Sequence, residues 1–177
     1  MNIYRHLQHL ATAGVNVVHI ASYEWERVLG LALGLSNHLG RPLYGWSQST
    51  GLVRYTVDSH TVEEEDATDP LEILRRIHDG SEAAVWLLED FQPFLREEHH
   101  QILRWLRQLA RKSASPRQLV ILSTPLPGLP VDLRKEVPTV ELELPDVDDL
   151  RVVLEDAAAA VGSALTRTTR SSTRPAG

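Results

Sequence analysis

Two adjacent carboxylates, Glu89 and Asp90, end the run AAVWLLED over 83–90. The apolar residues before them read as a buried strand, so the pair stands at a strand's carboxyl end, where acids can hold a magnesium ion and polarise a water. The order is the reverse of the usual Asp-Glu. Magnesium wants six oxygens in near-octahedral array, and two side chains bind it poorly unless phosphates supply the rest. A phosphate cradle needs a glycine-rich loop and a lysine after the first strand, because only backbone N–H groups free of side chains can wrap the anion. The first strand is expected over 15–20 (VNVVHI), and the next residues are Ala21-Ser22-Tyr23-Glu24-Trp25-Glu26-Arg27, with no lysine and no glycine before Gly30. A helix starting there carries Glu24 and Glu26 in its first turn, which match its positive end and would repel a triphosphate. Glu89 and Asp90 are therefore read as a relic acid pair with a structural role.

Other polar groups meet the same test. Ser123 and Thr124, at the tip of an apolar run over 118–123, stand where a sensor residue would meet a γ-phosphate, but polar residues also end strands for ordinary turn reasons. Arg104, Arg107 and Arg111 are spaced along one helix face. They could receive an acidic partner or act in trans on a neighbouring ATPase site, yet a charge stripe opposite an apolar face is more often the helix's wet side. The pairs His6/His9 and His99/His100 lack the further ligands a metal site needs, so no metal is expected. Phe91, Phe94 and Leu95, grouped around Pro93 after the acidic run, read equally as a docking surface and as a cap on the sheet's end.

The elements that position these residues follow from periodicity. Ile3, Leu7, Leu10 and Ala11 recur at helical spacing before a stop at Gly14, and Trp25, Val28, Leu29, Ala32 and Leu35 give a second helix over 23–37. Short strands are expected over 43–47 and 52–57, around a polar turn containing Gly51, with 63–66 (EEED) a solvated acidic loop. Asp69-Pro70 caps a helix running to Gly80. After the acidic strand come a helix carrying Ile102, Leu103, Leu106 and Leu109, the strand over 118–123, a stiff loop with Pro125, Pro127 and Pro130, a last strand over 139–144 and a helix over 145–161. Strands alternating with helices predict an α/β fold: a parallel sheet of about five strands with helices on both faces. Residues 1–162 are expected to form this domain, and 163–177 (SALTRTTRSSTRPAG), with little apolar surface to bury, a disordered tail.

Bulk properties exclude several classes. The formal charge of −6 on 177 residues argues against a nucleic-acid partner, whose affinity rests on a basic face. Cysteine is absent, which removes thiolate catalysis and cysteine-held metals and suits the cytoplasm. No apolar run approaches the roughly 20 residues that span a bilayer, so no membrane partner is expected.

Five motifs in order carry a resemblance: SYEWER at 22–27, GRPLYGWS at 40–47, DPL at 69–71, EDFQPFL at 89–95 and VILS at 120–123. Over roughly 15–151 the chain resembles the N-terminal domain of the plastid and cyanobacterial "hypothetical chloroplast frame 46" AAA-type ATPases. That resemblance implies an AAA- or RecA-like P-loop core that has lost its phosphate loop, with the working nucleotide site in a second domain downstream. The sequence contains no GxxxxGK[ST], and it stops where that second domain is expected, as a truncated relic or a separately encoded part would. The resemblance thus implies a non-catalytic module acting by protein contact, its partner an AAA-type ATPase domain, with no cofactor. The alternative is a weak hydrolase that binds ATP and magnesium through Glu89 and Asp90.

Overall fold

The computed structural model describes residues 3–56, 59–112 and 117–142, and one compact unit spans Met1–Leu142. The helix expected over 145–161, the boundary at 162 and the tail over 163–177 lie outside the described residues. In chain order the elements are α1 (Ile3–Thr12), β1 (Val17–Ala21), α2 (Trp25–Leu39), β2 (Leu43–Ser47), β3 (Gly51–Tyr55), β4 (His60–Glu64), α3 (Pro70–Asp79), β5 (Val85–Leu88), a short 3-10 turn (Gln92–Phe94), α4 (His100–Arg111), β6 (Leu119–Thr124), α5 (Val131–Arg134) and β7 (Thr139–Glu141).

The strands form one seven-stranded sheet in the order β4-β3-β2-β5-β6-β1-β7. Five of them, β2, β5, β6, β1 and β7, run parallel, and β3 and β4 extend the sheet antiparallel. The sheet therefore has seven strands where about five are expected, and two of them run antiparallel where a parallel sheet is expected. Sequence periodicity misses β4 because every one of its residues is exposed, so no apolar alternation marks it. Glu63 and Glu64 therefore belong to a strand rather than to an acidic loop.

Burial explains why the central strands read so plainly. β1, β5 and β6 are buried at every position, as strands covered on both faces must be. On one face α1 and α2 bring Leu7, Val28, Ala32 and Leu35 onto Val18, Ile20, Val85, Leu87 and Ile121. On the other, α3, α4 and α5 bring Ile73, Leu74, Ile77, Leu103, Leu106 and Leu133 onto Trp46, Trp86, Leu88 and Leu122. The layered α/β architecture matches the expected class and is compatible with a P-loop NTPase-like core.

Local chemistry sets the boundaries. Asp69 accepts a hydrogen bond from the Leu71 amide at 2.8 Å and Pro70 occupies the first turn of α3, as the sequence predicts. Gly40, at φ 62°, ends α2 with its amide on the Asn37 and Ser36 carbonyls. Between β5 and β6, the Gln118 amide oxygen accepts from the Ala84 amide at 3.1 Å and the Trp86 indole N–H at 3.0 Å, and its nitrogen donates to the Glu82 carbonyl at 2.7 Å. All the polar capacity of this buried side chain that these partners reach is spent on fixing where the two strands begin.

Candidate functional site

The carboxyl edge of the parallel strands gathers Glu24, Glu26, Glu89, Asp90, Ser123 and Thr124, as ligand sites in open α/β sheets do. It divides into three parts: the connection after β1, the tip of β6, and the acid pair after β5. Because β6 lies between β5 and β1, the acid pair does not neighbour the first strand.

The connection after β1 is Ser22-Tyr23-Glu24, with α2 beginning at Trp25. Two of its three amides are already engaged. Ser22 N–H donates to the Thr124 carbonyl at 2.9 Å, and Glu24 N–H donates to the Ser22 hydroxyl at 2.9 Å. Glu24 is the residue preceding α2, its side chain makes no capping bond, and its carboxylate meets the Arg27 guanidinium at 2.9 Å. Glu26 stands exposed in the first turn. The helix expected over 23–37 thus begins two residues later, so that Glu24 precedes its first turn and Glu26 lies within it.

At the tip of β6, Thr124 is only 2% exposed and its hydroxyl donates to the Leu126 carbonyl at 2.7 Å. With its proton committed there, the hydroxyl must accept from His19 Nε2, 2.6 Å away. That fixes the tautomer: Nε2 carries the hydrogen, and Nδ1 accepts from the Thr139 hydroxyl at 3.1 Å. One imidazole thus bridges β6, β1 and β7. Burial pushes the His19 pKa down to about 4, so the ring stays neutral in this chain of bonds. Ser123 is also buried, and its carbonyl accepts the Phe91 amide at 3.3 Å. The Thr124 hydroxyl points into a structural network, and this accounts for its conformation without a ligand.

The acid pair divides into unlike members. Glu89 is half-buried, and its Oε1 accepts the Tyr55 hydroxyl at 3.1 Å. Two strands of the sheet make this possible, since Tyr55 ends β3 and reaches Glu89 across Gly45 of β2, where an added Cβ would lie 2.3 Å from the Tyr55 ring. Burial, helped by the neighbouring Asp90 charge, pushes the Glu89 carboxyl up to about 7 against the opposing hydrogen bond from Tyr55. The Tyr55 phenol is pushed up as well, by burial first and then by Glu89, and remains a neutral donor. Asp90 is exposed and adopts φ 48°, alone among the described non-glycine residues in having positive φ. The left-handed turn at Asp90 swings the chain so that Phe91 drops into the core.

Phe91 is 0% and Leu95 7% exposed, and Phe94 is half-buried against Trp46 and Phe91. These side chains cap the sheet's end. The docking-surface reading does not hold for Phe91 and Leu95, which the turn at Asp90 and the following 3-10 turn carry inward. Arg104 is exposed on α4, while Arg107 pairs with Asp132 at 2.8 Å and Arg111 with Glu136. Among the described residues no group of three or more His, Cys, Asp or Glu side chains could hold a metal ion, and no helix is long and apolar enough to cross a membrane. Sequence reasoning missed His19, Gly45, Tyr55 and Thr139. The one signal it had was a lone histidine inside the apolar run VVHIA.

Glu89 and His19 pull stability in opposite directions with pH. Glu89, raised in the fold, stabilises fully below its unfolded value near 4.5 and loses that contribution as pH rises through about 7. His19, lowered in the fold, stabilises above its unfolded value of 6.5 and loses that contribution as pH falls through about 4. Glu89→Gln keeps an acceptor for Tyr55 and removes the first effect alone. Its stability relative to the unmodified protein is expected to rise by about 2 kcal/mol between pH 4.5 and 7.5, after allowance for the solvent reaching this half-buried group. Urea unfolding at both pH values measures it, and parallel behaviour of the two proteins would contradict the assignment.

No curated protein matches the chain. Residues 3–142, within the compact unit Met1–Leu142, match the family described as SpoVK-like AAA ATPase, N-terminal domain. This match fits the layered α/β core, and by it the chain belongs to the N-terminal domain family of the SpoVK-like AAA ATPases.

Proposed function

We propose that this domain works by contact, as a non-catalytic regulatory or assembly module of an AAA-type ATPase system whose partner is an ATPase domain. The observation that carries this reading is the connection from β1 to α2. It holds three residues, spends the amides of Ser22 and Glu24 on internal partners, and sets Glu24 and Glu26 at the helix's positive end. A triphosphate needs free amides and positive charge at that place. The residues present do not fit it. The likeness to the plastid and cyanobacterial family, whose first domain lacks its phosphate loop, supports the same reading. The carboxyl edge still offers contact area: Tyr23 and Leu126 stand 73% and 48% exposed on the loops after β1 and β6.

A second reading, weak hydrolysis of ATP with magnesium, is favoured by one observation. Glu89 is held near neutrality, where a general base works best. Isothermal titration and thermal melting with millimolar Mg-ATP separate the two. The contact reading expects no heat of binding and a melting temperature that moves by less than about 1 °C, since a ligand stabilises only by occupying the folded state. A saturable, magnesium-dependent rise that Glu89→Ala abolishes would establish the hydrolase reading instead.

A further inference from the structure

We propose that the open edge of β4, with the groove beside it, binds an extended basic segment of a partner protein by strand addition. This site lies at the end of the sheet farthest from β1 and β7, and it stands whether or not the domain binds a nucleotide. β4 ends the strand order, so among the described residues its outer side has no strand partner. Its backbone is set up to take one. The Thr56 amide donates to the Ser59 carbonyl at 2.8 Å, which makes that pair a hydrogen-bonded one, and the ladder alternates from there. His60, opposite Tyr55, and Val62, opposite Val53, therefore turn their amides and carbonyls outward. Such a row of unpaired groups is a template for another chain.

The side chains specify which chain. Glu64 is registered opposite Leu52, and Val62 opposite Val53, so the two look to opposite faces of the sheet. On the Glu64 face lies a groove of about 310 Å³ with Leu52 and the stacked rings of Tyr44 and Trp86 in its wall, their centroids 4.9 Å apart. Glu63, Glu64 and Glu82 line it against a single guanidinium, Arg76, which Glu64 already engages through two hydrogen bonds. Arg54, registered opposite Tyr44, stands on the same face with its guanidinium 6.0 Å from the Tyr44 ring centre, so Glu63, Glu64 and Glu82 face two cations there. The groove thus keeps an excess of negative charge, and Glu65 and Asp66 add to it just beyond the strand. On the other face Val62 is 50% exposed. A strand laid beside β4 sends alternate side chains to the two faces. The occupant that satisfies both alternates arginine or lysine with apolar residues: its cations are drawn to Glu63 and the negative rim of the groove, and its apolar side chains cover Val62.

The test uses the full chain and a labelled decapeptide of alternating arginine and valine, read by fluorescence anisotropy at low salt, where exposed charges are least screened. Two controls separate the parts of the proposal. A peptide N-methylated at every second residue keeps its charge but loses pairing hydrogens, and the double variant Glu63→Lys/Glu82→Lys keeps the strand edge but reverses the groove. Each is expected to weaken binding by at least about tenfold, and the glutamate–valine peptide is expected not to bind. Circular dichroism melting of the double variant confirms that it is folded. Equal binding of the N-methylated peptide would mean charge attraction without strand addition and would overturn the proposal. So would undiminished binding to the folded double variant, or no binding of the basic peptide to the unmodified chain.

Discussion

Phe91→Ala is expected to lower the free energy of unfolding by about 3–5 kcal/mol, the cost of deleting a fully buried phenyl ring and leaving a cavity. For a chain of this size that is a fall in melting temperature of about 10–15 °C. The ring is 0% exposed, and its centroid lies 5.7 Å from that of Trp46 and 5.2 Å from that of Phe94. Its loss would strip contacts from both aromatics and from the turn at Asp90 that delivers it. Urea denaturation provides the measurement. Arg104→Ala, on the exposed face of α4, is the comparison and is expected to change stability by no more than about 0.5 kcal/mol. A loss below about 1 kcal/mol for Phe91→Ala would return that residue to the surface and reopen the docking reading.

The same residue shows where sequence reasoning stops. The pattern EDFQPFL locates an aromatic group after an acidic strand, but whether the group turns inward depends on one backbone torsion, at Asp90, that no periodicity encodes. The central strands were legible because burial on both faces writes a continuous apolar run, and β1, β5 and β6 are buried throughout. α3 was legible because Asp69 and Pro70 announce its start. β4 carries neither signal, since it is exposed at every position and among the strands pairs with β3 alone. The polar networks were hidden for a related reason. His19, Thr124 and Thr139 stand on β1, β6 and β7, Tyr55 ends β3 and Glu89 follows β5, the two strands that flank β2, so each network exists only once the strand order is known. By contrast, the acids after β1 needed only a strand and a helix start to be placed, and there the sequence reading and the geometry agree to within two residues.

Gly51→Ala is expected to disrupt the sheet's antiparallel end while leaving its parallel core standing. Gly51 opens β3 at φ 69°, a conformation that costs an alanine about 1 kcal/mol on its own. The larger penalty is steric, because an added Cβ would lie 2.2 Å from the Glu64 carbonyl oxygen and 2.7 Å from that of Glu65. Both obstacles are backbone, so no side chain can swing aside. The end of β4 must move, at the point where the β3–β4 register already shifts beside Leu52. Together these effects are expected to cost about 3 kcal/mol. Gly30→Ala, in α2, where an added Cβ meets nothing within 4 Å, is expected to stabilise instead, by about 0.5–1 kcal/mol. Hydrogen exchange distinguishes local from global damage. In Gly51→Ala the amides of Val53 and Thr61 should lose protection while those of Ile20 and Ile121, deep in the parallel strands, keep theirs. Equal loss at all four positions would mean that the antiparallel end and the parallel core unfold as one unit. The separation matters for the open edge, because a partner strand can be added to β4 only while β3 holds it in register.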